Sequence, residues 1–413
     1  MNNLLRNEDW LATFTGFLII ALALFGHVPF VPSFAWKDGE GLLARWSDLG
    51  NWLSIGIFLV LTVLIGLSTQ AGLGKKNWTI WKGLAFLFFL TLVSQWIAGY
   101  KPIKDLGIEY VIFALLLGIA VRNVIGLPAW LPQPLPTEFF IKNGLVVLGT
   151  SIIFQDIVKA GALGLVQALV VVVAVWYFAF WVAKWLKIDQ EMSLMLSSAV
   201  SICGVSAAIA TAGAIQGDSK KLSYVVSLVL IVALPMMLFM PYVAKELGLS
   251  AEVAGAWLGG TIDTTGAVVA SGTLLGEQAL KYSTIVKFSQ NVLLGFAAIA
   301  ISVYWTFQHK KGEQKNAVGL GTIWERFPKF VLGFLAASLL CSFIVPKETL
   351  AQGKDFLKAA QTIFFALAFV CTGLETDFSM LMKTGNGRPA LAFVVAQVFN
   401  ILLTLGVAYV LFG

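Results

Sequence analysis

The sequence predicts an all-α polytopic membrane protein with about 11–13 transmembrane segments, inverted repeats and two broken helices. Three observations predict it. Of the 413 residues, 58% are apolar and 12% charged, roughly half the charged share of a soluble domain. That leaves too little polar surface to cover a globule in water. Apolar runs close to the ~20 residues a helix needs to cross a hydrocarbon core recur along nearly the whole length. Two short stretches far apart in the chain also repeat one another at a fixed offset.

The thirteen runs fall near 11–30, 51–68, 82–98, 108–126, 139–154, 161–183, 193–215, 222–243, 252–275, 283–306, 328–345, 359–376 and 389–412. The first follows Arg6, Glu8 and Asp9 and has no polar cleavage region behind it, so it reads as an uncleaved span rather than a signal peptide. Segments 139–154, 193–215 and 252–275 are short or dense in Gly, Ser and Thr, which makes them candidates for broken or re-entrant helices. Residues 31–50 and 308–327 are the longest polar stretches, and both read as loops with amphipathic turns. With thirteen full spans the termini lie on opposite faces. Lys75, Lys76 and Lys82 then share a side with Lys310, Lys311, Lys315 and Arg326. The positive-inside rule makes that side cytoplasmic, together with the N-terminus.

The formal net charge of +6 is spread through short loops, Lys220 and Lys221 among them, without a basic face. Nucleic acid is therefore not an expected partner. Cys203, Cys341 and Cys371 show no metal-ligand or disulfide spacing, and the two histidines, His27 and His309, fall at segment ends. No Cys–His pair, Walker loop, dinucleotide fingerprint or zinc spacing is present. The expectation is a protein that is not an enzyme and has no cofactor and no metal.

The internal repeat pairs LGTSIIFQDIVKAGALG with TGLETDFSMLMKTGNG. Gly149 aligns with Gly373, Phe154 with Phe378, Lys159 with Lys383 and Gly161 with Gly385, all at an offset of 224. Seven segment steps separate the copies, an odd number, so they run in opposite directions as the halves of secondary carriers do. Coincidence among loop-favouring residues is the rival explanation. The match does not extend to residue 204, whose partner would lie past the C-terminus.

Two segments carry candidate chemistry. In SSAVSICGVSAAIATAGAI, 197–215, small and hydroxyl residues fill almost every position. Irregular backbone at membrane depth survives only where it lines a protein-enclosed or wet cavity. Ser201, Cys203, Gly204 and Ser206 are therefore candidate substrate-binding residues, with a helix restarting after Gly204 adding its positive end. A continuous helix whose small residues let neighbours approach is the alternative. In WLGGTIDTTGAVVASGTLLG, 257–276, Asp263 stands among Thr261, Thr264 and Thr265. A charge at a span's centre costs ~2.5–3.5 kcal/mol on insertion scales, so such groups face cavities and mark ion or proton paths. Asp263 is the expected coupling-ion residue, unless it is a solvated or helix-capping Asp in a loop. Ionised, it repels a substrate anion; protonation or a bound sodium removes that repulsion. Lys287, Gln290 and Asn291 follow on one helix face. The lysine pairs with Asp263, attracts an anion, or snorkels to the span's end. Asp156, Glu375 and Asp377 close their segments and read as interfacial.

At SICGVSAAIA the chain resembles the family of bacterial inner-membrane proteins labelled sulfate exporters, whose hallmark is Ser-Ile-Cys-Gly-x-Ser-Ala. Ser201, Ile202, Cys203, Gly204, Ser206 and Ala207 match it. The likeness continues through LLLGIAVRN, LVVLGTSI and GAWLGGTIDTTGAVVASG to Lys287, over residues 108–412, with 1–107 as extra N-terminal spans and 108–413 as the transporter core. Where many members carry a His-Glu-Val-Ala-Gln-like run and an Arg after the lysine, this chain reads IDTTGAVVASG and KFSQN, a departure that marks a subgroup. The family resembles the cation:proton antiporter and anion transporter superfamily. That resemblance implies inverted repeats, crossing broken helices and a core moving against a scaffold. The function expected is secondary transport of a small anion (sulfate, sulfite or a sulfonate) coupled to protons or sodium, in the inner membrane. A carrier of an unrelated organic anion and a cation/proton antiporter are the alternatives. Expected partners are the anion, the coupling ion and the lipid bilayer, with a homodimer as one option.

Overall fold

The computed structural model describes residues 7–25, 31–72, 80–105, 109–128, 130–131, 135–308, 324, 327–377 and 387–413. His27, His309, Lys75, Lys76, Lys310, Lys311, Lys315, Arg326, Phe378, Lys383 and Gly385 lie outside the described residues. Seventeen α-helices and no strand fill the rest. In chain order they are α1 (Glu8–Phe25), α2 (Gly39–Ser47), α3 (Leu49–Gly72), α4 (Ile80–Ala98), α5 (Lys101–Asp105), α6 (Tyr110–Ala120) and α7 (Thr137–Leu148). There follow α8 (Phe154–Trp185), α9 (Gln190–Ser198), α10 (Val205–Ile215), α11 (Ser219–Glu246), α12 (Ala251–Thr261), α13 (Thr265–Leu275) and α14 (Glu277–Gln308). The last are α15 (Phe330–Leu339), α16 (Lys347–Glu375) and α17 (Gly387–Phe412). Eight of them are long and apolar enough to cross a bilayer. The chain is an all-α, multi-pass membrane protein.

The helices form two compact units. One comprises residues 1–155 and 329–378, the other 156–328 and 379–413. The N-terminal helices thus pack into the same unit as α6, α7, α15 and α16. The amphipathic turn expected within 31–50 is α2, capped by Asp38, whose side chain accepts from Gly41 N at 2.8 Å. Leu43 and Trp46 remain exposed on it.

The first unit contains the inverted repeat, and more of it than the sequence identities reveal. A π-helical turn follows α6 at Val121–Ile125, and another follows α15 at Leu340–Ile344, so these helix ends correspond at an offset of 219. A Cβ added at Gly118 on α6 would lie 2.8 Å from Gly373 Cα on α16, while one added at Gly149 after α7 would overlap the Phe334 carbonyl of α15. The close α6–α16 contact is therefore matched by an α15–α7 contact, the exchange that a two-fold repeat requires. Its two copies run in opposite directions. Thr137 at the start of α7 donates to Glu375 at the end of α16, 2.9 Å away, and Gly144 further along α7 lies against Phe365. The expected helix-end positions of Glu375 and Asp377 hold: Glu375 is exposed, and Asp377 pairs with Arg122 at 2.7 Å.

The second unit is built on α8, α11, α14 and α17. Helices α8 and α14 run the same way, with Asp156 paired to Lys281 at one end and Trp176 and Phe180 beside Ile301 and Tyr304 at the other. Between them sit the two segments dense in small residues, and each doubles back. In α9–α10, Glu191 near its start accepts from Asp218 N just past its end, 3.4 Å away, and Lys221 bridges Asp189 and Glu191 at 2.7 and 3.2 Å. In α12–α13, Gly255 and Gly259 from the first limb and Gly272 from the second all abut α14 around Ser283. Each limb is too short to cross ~30 Å alone, and Gly204, at φ +61 and ψ −114, lets the chain reverse. Both expected breaks are present. The half-helices meet tip to tip as hairpins instead of crossing as broken spans.

The hairpins are rooted at opposite ends of α14, one near Ile301 and one near Ser283. Those roots are 18 residues apart along α14, which at 1.5 Å per residue is about 27 Å, close to a hydrocarbon thickness. The tips therefore meet near mid-depth.

The glycine seams of the first unit yield a test. Gly373→Val should lower the unfolding midpoint in detergent by on the order of 5 °C through overpacking against α6. Gly387→Ala, where nothing lies within 4 Å of the added atom, should leave it unchanged. Thermal unfolding of the purified variants reads both.

Candidate functional site

Where a helix breaks, its last carbonyls lose their i+4 donors, and at membrane depth no water replaces them. The second unit meets this demand with four side chains. Lys287 Nζ donates to Ile202 O and Ile262 O, both at 2.9 Å, and to Gln290 Oε1 at 2.8 Å. Gln290 Nε2 donates to Ser201 O at 2.9 Å and Gly260 O at 3.2 Å. From α17, Gln397 Nε2 reaches Thr261 O at 3.0 Å, and Asn400 Nδ2 reaches Val200 O and Thr261 O, both at 3.2 Å. Three consecutive carbonyls from each tip, 200–202 and 260–262, are thereby bound. Thr404 fixes the orientation of Asn400 by donating to its Oδ1 at 2.8 Å.

The expected residues divide by role. Lys287 is 1% exposed and its ammonium has only three N–H groups. All three are used on oxygens other than Asp263, so it neither snorkels nor forms a hydrogen-bonded pair with that carboxylate. It remains within electrostatic range of Asp263. Sitting at the carbonyl ends of α9 and α12, its charge also complements the negative poles of those two helices. Ser201 spends its hydroxyl on Ser197 O at 2.7 Å, so of the donors expected from it none faces the tip. Ser206, in the first turn of α10, is exposed. Cys203 packs in an apolar cluster with Ala207 and Leu294. Gly204 does lie at the meeting point: a Cβ there would sit 2.7 Å from Val229 Cγ1 and 3.1 Å from Asp263 Cβ. A side chain at this left-handed position would strain the tip as well as fill it.

Asp263 lies between α12 and α13 and is 1% exposed, with neither carboxylate oxygen hydrogen-bonded. It is neither a solvated loop residue nor a cap, because Thr264 is the residue that caps α13, accepting from Ala267 N at 3.2 Å. The N-terminus of α10 starts beside it and that of α13 two residues on. Two positive helix poles therefore face the carboxylate. Thr261 Oγ1 and Asn291 Oδ1 are buried without partners, while Asn291 Nδ2 donates to Thr265 Oγ1 at 3.4 Å.

Sequence reasoning missed Gln397 and Asn400, and also Gln167, whose Nε2 donates to Ala256 O at 2.8 Å. Their signal was available. An amide inside an apolar span is itself costly, and Gln397 and Asn400 are spaced three apart on one helix face.

The family model described as conserved hypothetical protein 698 matches residues 82–392. That range takes in both hairpins and α14 and stops short of Gln397 and Asn400. A UPF0324 membrane protein of Rhodopirellula baltica is 36% identical over 384 residues, 90% of this chain and 69% of that protein. One from Nitratidesulfovibrio vulgaris is 37% identical over 369 residues, covering 86% of this chain and 63% of that protein, so the chain spans less than two thirds of it. One from Nitrosomonas europaea is 29% identical over 478 aligned positions, 98% of this chain and 95% of that protein. No solved structure matches.

The carbonyl clamp predicts where stability resides. Gln290→Leu strands the Ser201 and Gly260 carbonyls, at ~1–3 kcal/mol for each buried group left unpaired. It should lower the thermal midpoint clearly, whereas Ser206→Ala on the exposed face should not. Denaturation curves of both variants in one detergent decide this.

Proposed function

The chain belongs to the conserved hypothetical protein 698 family of membrane proteins, and we propose that it is a secondary active transporter of a small anion. The observation that carries this reading is the pair of hairpin tips meeting near mid-depth around Asp263 and Lys287. A merely structural bundle has no need to break two helices and bury a carboxylate there. The substrate proposed is inorganic or sulfur-containing: sulfate, sulfite or a sulfonate. The helix poles of α10 and α13, with the Lys287 charge behind them, supply the attraction. Protons or sodium serve as the coupling ion at Asp263. An inner-membrane location, a cytoplasmic N-terminus and no enzymatic activity are part of this reading.

The mechanism follows from competition for the same poles. An ionised Asp263 occupies the positive field of the two N-termini and repels an incoming anion. When a coupling ion neutralises the carboxylate, that field becomes available to substrate. Anion occupancy then depends on the coupling ion, which is the condition for gradient-driven transport. The same unpaired carboxylate gives a cation/proton antiporter its place as the second reading, in which no anion is carried; an organic anion carrier differs only in substrate.

Flux assays in liposomes, screened over oxyanions with imposed proton and sodium gradients, test the reading. Asp263→Asn resembles the neutralised acid. It should retain substrate counterflow while losing gradient-driven accumulation, and its pH dependence should flatten. Full gradient-driven transport in this variant would remove Asp263 from coupling.

A further inference from the structure

We propose that the second hairpin tip is a binding site for one dehydrated alkali cation of the sodium class, with Asp263 as its charged ligand and Thr261 Oγ1 and Asn291 Oδ1 as neutral ones. This deepens the transporter reading by choosing the coupling ion, and it rests on that reading only for its role in transport.

Around the tip, every Lys287 N–H is given to an oxygen already named, and the Gln290, Gln397 and Asn400 amides are committed to backbone carbonyls. What remains unpartnered there is all oxygen: both carboxylate atoms of Asp263, the Thr261 hydroxyl, the Asn291 carbonyl and the Gln397 side-chain carbonyl, on residues 1%, 1%, 8% and 2% exposed. All of these residues sit on or against the 261–265 turn. Thr261 and Asp263 are two residues apart at the turn, and Asn291 is held against Thr265 on the other side of it by its own amide. Side chains of one α14 stretch, Lys287, Gln290 and Asn291, reach Ile262, Gly260 and Thr265.

A proton on Asp263 together with the Thr261 O–H would supply two donors at most and leave further acceptors among these oxygens bare, at ~1–3 kcal/mol for each. A small hard cation takes several oxygens at once, from carboxylate, hydroxyl and amide carbonyl alike. Charge supports the choice as well. With Asp263 and Lys287 the empty tip carries one charge of each sign. One monovalent cation together with one net negative charge of substrate restores that neutrality, whereas either alone leaves a buried excess. For a substrate carried as a monoanion, the site therefore couples one cation to one substrate.

The test needs no transport. The purified full chain is titrated with sodium chloride against N-methylglucamine chloride at constant ionic strength, at two pH values, following the thermal midpoint. Saturable stabilisation by sodium is expected. It should be lost in Asp263→Asn and shifted to concentrations higher by about tenfold or more in Thr261→Val. Thr261→Ser, which keeps the hydroxyl, should retain the wild-type response. Absence of any sodium-specific stabilisation in the wild-type chain overturns the proposal, and so does an unchanged response in Thr261→Val together with Asp263→Asn. Sodium binding without sodium-driven flux would leave the site standing and overturn the transporter reading; proton-driven, sodium-indifferent flux would do the reverse.

Discussion

Six backbone carbonyls that have lost their helical donors govern the architecture of the second unit. Residues 200–202 and 260–262 cannot be buried at membrane depth unpaired, and among the described residues the side chains that reach them come from α14 and α17. This fixes the geometry in turn. Helix α14 must pass both tips at Lys287 and Gln290, and α17 must pass the far side at Gln397 and Asn400. Hairpin α12–α13 must lie close enough for a lysine to span the gap, which explains the glycines at 255, 259 and 272 against α14. The long helices are the frame on which two short, broken ones can exist.

The clamp also assigns the charges. Lys287 sits at the carbonyl ends of two half-helices and Asp263 at the amide ends of two others, so each is favoured by the poles it faces. The pair remains near one another without a hydrogen bond, since the lysine's protons are spent elsewhere. That separation matters for function. A lysine locked on the carboxylate would hold it neutralised in every state, whereas a lysine held by backbone leaves Asp263 free to exchange its partner.

Much of this was legible in the sequence. The breaks at Gly204 and Asp263 showed as small, hydroxyl-rich runs where a uniform span would need bulk, and Lys287, Gln290 and Asn291 stood out as polar groups in an apolar helix. The direction of the half-helices was not legible, because composition gives a break and not the turn after it. Only contacts such as Glu191 with Asp218 distinguish a hairpin from a crossing. For Lys287 the sequence left pairing with Asp263, attraction of an anion and snorkelling open, and the carbonyls it binds were not among them, since backbone acceptors leave no mark in a residue pattern. The repeat was half visible. Gly149 and Gly373 share an offset of 224, but Leu115 and Gly118 correspond to Phe334 and Ala337 at 219, through shape rather than identity. The five-residue difference in the intervening loops hides the link from any gapless comparison.

The two units differ in where they keep polar groups. In the first, ion pairs gather at helix ends: Lys142 with Glu8 and Asp9 at 2.7 and 2.9 Å, and Arg122 with Asp377. Deeper in, Asn143 is satisfied locally, accepting from Thr15 at 2.6 Å and donating to Phe139 O at 3.0 Å. These pairs are closed circuits that stabilise an inverted pair of helices, although Asn51 Nδ2, Thr91 Oγ1 and Gln95 Nε2 of the same unit are buried without a partner. In the second unit the polar side chains stand in the middle of their helices, and their donors are consumed while oxygens remain open. A buried surplus of one hydrogen-bonding sign is unstable by itself and is resolved only by something that arrives from outside. The proposed function rests on the hairpin unit for that reason, since Asp263 is buried there with both carboxylate oxygens unpaired.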